Sequence, residues 1–271
     1  QHYYPQMFLK GFCNPNNNIF LYDLSKNKIS PRNIESVGCK KHLYTVSDRQ
    51  GMYKNFEVEK KFSDIENYSA PLFEKIRNNN FRNLSGKEIS QLIDFIVLTF
   101  IRTPTTVDIS ENVITEQSVL SEMRAVNLIE ANKLINSFNS KKGLAYAVTL
   151  AQAFDTRHKK IIDNFDGFFL SLEEEAPSLL LNDNYTCWEL MDRNIPYIGK
   201  DVDWSKIKVK MHFPISSRCC FTFVPKTEQN RKGTSEININ FLTTSSHDAQ
   251  IINNLSFTQA KRYTYCQDNK V

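Results

Sequence analysis

This sequence predicts an α+β fold, and two observations carry the prediction. Apolar residues at three- and four-residue spacing, the mark of amphipathic helices, fill the middle of the chain over about residues 56–165. Short β-branched and aromatic runs, set off by Asn, Asp, Pro and Gly, lie before that region and again over about residues 168–266. The expected plan is a central helical region flanked by N- and C-terminal short strands. Those strands would join in one mixed or antiparallel sheet, and residues 1–271 would form a single domain. A chain of 271 residues can bury a sizeable core.

Each element has a local reason. Pro5 restricts itself and Tyr4 to extended backbone. The Asn- and Pro-rich stretch 14–18 favours a turn, and residues 19–22 (Ile-Phe-Leu-Tyr) then read as a strand. Ser30-Pro31-Arg32 is another break, with a short strand expected near 43–46. Phe56, Val58, Phe62, Ile65, Ser69, Leu72, Phe73 and Ile76 form one helical stripe, which Pro71 should kink or split. The following helix has a capping box, Ser85-Gly86-Lys87-Glu88, and must stop near Thr103 because Pro104 follows. Two more helices are expected over 111–138 and 144–163. Strands are expected over 168–170, 187–191, 197–198, 206–213, 219–224 and 237–242, then a helix over 246–259 and a last strand over 262–266.

Composition excludes several classes. The net charge of +4 comes from scattered Lys and Arg, which permits a nucleic-acid partner without demanding one. The longest apolar run, residues 92–101, is ten residues with Asp94 and Thr99 inside it, too short to span a bilayer, so no membrane partner is expected. The chain opens with no signal-peptide pattern. Six cysteines are spread over the length with no C-x-x-C pair, which suits reduced thiols and a cytoplasmic location. Dinucleotide, Walker A, zinc-protease and serine-hydrolase motifs are absent. The five histidines are far apart, with no zinc partner at helical spacing.

A few residues carry chemistry. His2 sits on a stiff segment beside aromatic rings, where an imidazole suits acid/base work or simple packing. Glu59 and Glu66 are seven residues apart, so a continuous helix projects both from one face about 10 Å apart. A solvated acidic face explains that spacing equally. Arg102 ends an otherwise apolar helix, where a cation suits the helix dipole. Arg is also the preferred partner of a carboxylate or phosphate, and Arg102 is expected to meet Glu59 or Glu66 in a buried ionic site.

Taken in order, these stretches resemble a bacterial family known as domain of unknown function 4238. Its members tend to open Gln-His-Tyr-x-Pro-Gln before an aromatic and a leucine, as Gln1-His2-Tyr3-Tyr4-Pro5-Gln6-Met7-Phe8-Leu9 does here. Glu59 and Glu66 fall on a recurring Glu-x6-Glu, and Phe100-Ile101-Arg102-Thr103-Pro104 on a further motif. Tyr197-Ile198-Gly199-Lys200-Asp201 is similar to a strand-end motif, although Asp203 replaces the proline that often follows. Phe213-Pro214-Ile215-Ser216 and Asn254 resemble later family features, so the likeness runs from Gln1 to about Tyr265.

The family implies no established mechanism; some members act as single-gene anti-phage proteins, which implies a defence context. The expectation is an anti-phage effector that hydrolyses nucleic acid or another phosphodiester. His2 would be its acid/base; Glu59, Glu66 and Asp201 would hold a divalent metal or activate water; Arg102 would steady phosphate charge. Gln1 and Asn254 would be binding residues. The alternative is a non-enzymatic sensor that binds a phage or host protein. Group transfer to a host target is a third reading, which no dinucleotide signature supports.

Overall fold

Helices and short strands are both present, but their arrangement departs from the expected plan. The computed structural model describes residues 4–39, 46–47, 54–55, 57–103, 158–191, 208–227 and 237–269. In chain order these form α1 (Gln6–Leu9), β1 (Asn18–Asp23), β2 (Lys28–Asn33), β3 (Val46–Ser47), β4 (Lys54–Asn55), α2 (Glu57–Arg77) and α3 (Gly86–Ile101). After them come α4 (His158–Asn164), β5 (Phe165–Leu172), β6 (Leu181–Asn182), β7 (Cys187–Leu190), β8 (Val209–Ser216), β9 (Cys219–Pro225), β10 (Ile239–Thr244), α5 (Ser246–Thr258) and β11 (Tyr263–Cys266).

Two main sheets replace the single one expected. The first is antiparallel, in the order β2-β1-β11-β6, and joins the two ends of the chain through the β1–β11 pairing of Phe20 with Cys266. The second has the order β10-β5-β9-β8-β7 and is mixed, because β10 runs parallel to β5 while its other pairs are antiparallel. A two-stranded ribbon, β3–β4, stands apart. Strands are therefore spread along the chain and do not simply flank a helical centre. Pairing between distant strands is a tertiary choice that local periodicity does not encode. The strand expected at 197–198 and the helix expected over 111–138 lie outside the described residues, as does most of the one over 144–163.

Burial explains which strands are central. β8 and β9 are almost continuously buried, as strands covered on both faces must be. Phe221, Phe223 and Phe213 point into a core shared with Phe8, Phe73, Phe95 and Tyr185. Cys220 and Cys187 point the other way, into a smaller cluster closed by Ala249 and Ile252 of α5. Gly11 lets α1 dock closely on β8: a Cβ there would lie 2.9 Å from Ile215 O, and Gly11 O accepts from Ser217 N at 2.8 Å.

Pro71 does not split α2, which is continuous from Glu57 to Arg77. An interior proline costs about 3 kcal/mol. The same helix buries Phe62, Ile65, Leu72, Phe73 and Ile76, each worth about 1.5–3 kcal/mol, so the buried face wins.

The capping box of α3 forms as expected: Glu88 N donates to Ser85 Oγ, and Ser85 N donates to Glu88 Oε2 at 2.9 Å. Lys75 of α2 donates to the other Glu88 oxygen at 2.5 Å. The hydrogen bond from Lys75, then those from Ser85, pull the Glu88 pKa down to about 2. Ser85→Ala should cost about 1 kcal/mol in urea unfolding at neutral pH. Because the folded pKa is depressed, the part owed to ionised Glu88 is whole above its usual value near 4.5 and is lost as pH falls towards 2.

Among the described strands β7 is an edge, and a side chain closes it. Gln259 donates through Nε2 to Trp188 O at 2.7 Å and accepts from Trp188 N at 2.8 Å, taking the place of a neighbouring peptide.

Candidate functional site

The α2 and α3 helices pack antiparallel, as three contacts along their length show. Arg102 at the C-cap of α3 meets Phe62 and Glu66, Phe95 packs edge-to-face on Phe73 with centroids 4.5 Å apart, and Glu88 meets Lys75. On α2, residues 62, 66, 69 and 73 follow helical spacing along one face; on α3, residues 95, 99 and 102 do the same.

Arg102 does more than cap. Its backbone N–H closes the helix on Leu98 O at 3.1 Å, while Nη1 donates to Glu66 Oε1 at 2.5 Å. The guanidinium lies 4.8 Å from the Phe62 ring centroid and Arg102 is only 3 % exposed, whereas the Glu66 side chain keeps 26 % exposure. A buried cation thus fixes one oxygen of a carboxylate that still reaches solvent.

Of the other expected site residues, Gln1, His2 and Asp201 lie outside the described residues, and Glu59 is described in backbone only, two turns before Glu66 on α2. Asn254 is exposed on α5. The neighbouring Asn253 is the one that clips backbone, accepting from Leu180 N at 2.8 Å and donating to Ser178 O at 2.9 Å. Helix phase decides between the two adjacent asparagines, and it turns Asn253 inward.

One turn inward from the ionic pair lies a group of hydroxyls. The Arg102–Glu66 and Phe95–Phe73 contacts bracket Thr99 and Ser69 and put them at one level. Thr99 donates to Phe95 O at 2.8 Å and lies beside the fully buried Tyr185 hydroxyl. Tyr185 has φ +68, a left-handed conformation that costs a bulky residue about 1–2 kcal/mol. Its turn is heavily tied: Tyr185 N donates to Asn182 O at 3.1 Å, and Asn184 N to Asn182 Oδ1 at 3.1 Å. Asp183 in that turn accepts from the backbone N–H groups of Lys261, Arg262 and Tyr263 at 2.7, 2.8 and 3.0 Å. Burial pushes the Asp183 pKa up against the pull of those amides, and both its oxygens are occupied by the fold. Tyr4 joins the turn from the N-terminal segment, its hydroxyl donating to Asn182 O and its ring 5.7 Å from that of Tyr185.

A second polar cluster escaped the sequence reading. His212 of β8 is 4 % exposed, with Nδ1 2.9 Å from Thr222 Oγ1 and Nε2 3.2 Å from Glu189 Oε2. Strand register explains the meeting, since His212 pairs with Thr222 of β9 and Lys210 with Glu189 of β7. Burial lowers the His212 pKa more than Glu189 raises it, so the ring is neutral at pH 7. With the proton on Nε2, the ring donates to Glu189 and accepts from Thr222. Burial pushes Glu189 up, but hydrogen bonds from Lys210 and His212 bring its pKa below the ordinary value.

Among the described residues no three His, Cys, Asp or Glu side chains gather as metal ligands do, and no helix is long and apolar enough to cross a membrane. Fold and site together define an α+β protein built around a helix pair that holds a buried arginine–glutamate contact. The chain belongs to the family described as Protein of unknown function (DUF4238), whose model matches residues 1–270. No curated protein and no solved structure matches it.

Proposed function

We propose that this protein is a cytoplasmic anti-phage effector that hydrolyses phosphodiester bonds of nucleic acid, with Glu66 and Arg102 at the centre of its site. The observation that supports this reading is the asymmetry of the pair: a buried guanidinium fixes one carboxylate oxygen, while the carboxylate stays partly exposed. A carboxylate held in one orientation suits the activation of water or the binding of a divalent metal. Arg102, beside the same position, would offset charge gathering on phosphate oxygens. In this reading His2 serves as general acid/base, Glu59 and Asp201 share the metal or water with Glu66, and Gln1 and Asn254 contact substrate.

The test is incubation of the purified protein with RNA, single-stranded DNA and duplex DNA in the presence of Mg2+ or Mn2+. Cleavage should fall at least a hundredfold in Glu66→Gln, the usual scale for loss of acid/base assistance. Turnover that persists in Glu66→Gln and His2→Ala alike refutes the assignment.

A second reading, a sensor that binds a phage or host protein, draws on another observation. Trp188, Leu190 and Met191 are 41 %, 54 % and 44 % exposed in and just after an edge strand. Apolar side chains gathered there suit a protein contact. That reading predicts no nucleic-acid turnover, and loss of protection against phage in Trp188→Ser despite unchanged folding.

A further inference from the structure

We propose that Ser69 and Tyr185 are substrate-binding residues of the Glu66–Arg102 site, their hydroxyls donating to an uncharged oxygen of a nucleotide, either a base carbonyl or a ribose hydroxyl. The inference rests on the nucleic-acid reading above and names the part of the substrate that enters furthest.

The chain keeps hydroxyls here at a cost. Among the described residues, Ser69 Oγ is buried and makes no hydrogen bond, and Tyr185 OH is buried with no well-formed one; Thr99 Oγ1 offers it a weak contact, its own proton committed to Phe95 O. Alanine or phenylalanine would fill the same space without the penalty of a buried unsatisfied group. Tyr185 adds a second cost in its left-handed backbone, which the turn around it enforces. One such group on α2, three residues from Glu66, and another beside Thr99 of α3, itself three residues from Arg102, are a coincidence that packing alone does not require. Strain and unmet polarity gathered beside a candidate site are what a preorganised binding position looks like.

Chemistry narrows the ligand. Burial drives the Tyr185 pKa well above its ordinary value, so the phenol remains a donor. Ser69 can donate as well. Glu66 already offsets the Arg102 charge, which disfavours a phosphate dianion at the inner position and favours a neutral acceptor oxygen.

The experiment uses the full chain and its Tyr185→Phe and Ser69→Ala variants. Melting temperature is measured for each, and binding of uridine, adenosine, 2′-deoxyuridine and inorganic phosphate is followed by calorimetry. The expected result is a melting temperature unchanged or higher in both variants, with nucleoside affinity reduced about tenfold per lost hydrogen bond. Uridine binding without adenosine assigns the oxygen to the base carbonyl. Binding of uridine and adenosine but not 2′-deoxyuridine assigns it to the ribose.

Four results overturn the proposal: a lowered melting temperature in both variants, nucleoside affinity equal to wild type, binding of phosphate alone, or no nucleoside binding by the wild-type protein. Failure of the hydrolytic reading is separable. A chain that cleaves nothing yet binds nucleosides through these hydroxyls keeps the inference and loses the hydrolase. Cleavage that is indifferent to both variants does the reverse.

Discussion

Glu66→Gln should lower the unfolding free energy by about 3 kcal/mol, measured by urea titration at pH 7, although it removes a side chain that is only partly buried. The cost falls on the partner left behind. Arg102 is 3 % exposed and loses the contact with the Glu66 carboxylate, and breaking a buried ion pair from one side typically costs about 3–5 kcal/mol. The lower end applies because Glu66 retains 26 % exposure and solvent screens part of the interaction. Arg102→Met should cost less than Glu66→Gln, since it leaves behind a carboxylate that water can reach and keeps apolar contact with Phe62. The double variant should recover part of the loss, with a coupling energy of about 0.5–3 kcal/mol between two directly touching residues. Additive costs in the double variant would mean that Glu66 and Arg102 do not support one another. This ordering also guards the activity test: a Glu66→Gln protein must be assayed where unfolding shows it still folded, and the double variant supplies a control lacking both groups.

What could be read from the sequence follows the range of the forces involved. The α3 cap was legible because Ser85 and Glu88 act within three residues of each other. The helix over residues 62–76 was legible from its stripe, and the Arg102–Glu66 contact could be anticipated because a cation at the end of an apolar helix has few places to go. Strand partners were not legible. Nothing near Phe20 says that it pairs with Cys266, nor near Ile239 that it runs parallel to Gly167. For the same reason His212 looked solitary: Glu189 and Thr222 are 23 and 10 residues away, and only the β7–β8–β9 register brings them to one face. The left-handed Tyr185 was hidden as well, because a tyrosine gives no sign of positive φ in the way glycine or asparagine does. Resemblance points to Asn254, and nothing local says that Asn253, about 100° away in helix phase, is the one that reaches the backbone of residues 178–180.

His212 gives the second large effect, through pH. Its ordinary pKa of 6.5 is lowered in the fold, first by burial, against the upward pull of Glu189. A depressed folded value means that the unfolded chain binds the proton more readily. The contribution of the neutral ring is therefore complete above about pH 6.5 and is lost as pH falls through the folded value. Stability should decline as pH is taken from 7 to 5, by up to about 1.4 kcal/mol per pH unit from this one group. Other titrating neighbours do not mask the effect. Burial raises the Cys187 pKa to about 12 and also lifts that of Cys220, which keeps both thiols protonated, and Glu189 is held below its usual value and stays ionised in the window. His212→Gln should flatten the slope between pH 6.5 and 5, even though it lowers stability at pH 7.5 by disturbing the contacts to Thr222 and Glu189. A slope equal to wild type in that variant would show that folding does not lower the His212 pKa, and that the contact with Glu189 at least offsets its burial.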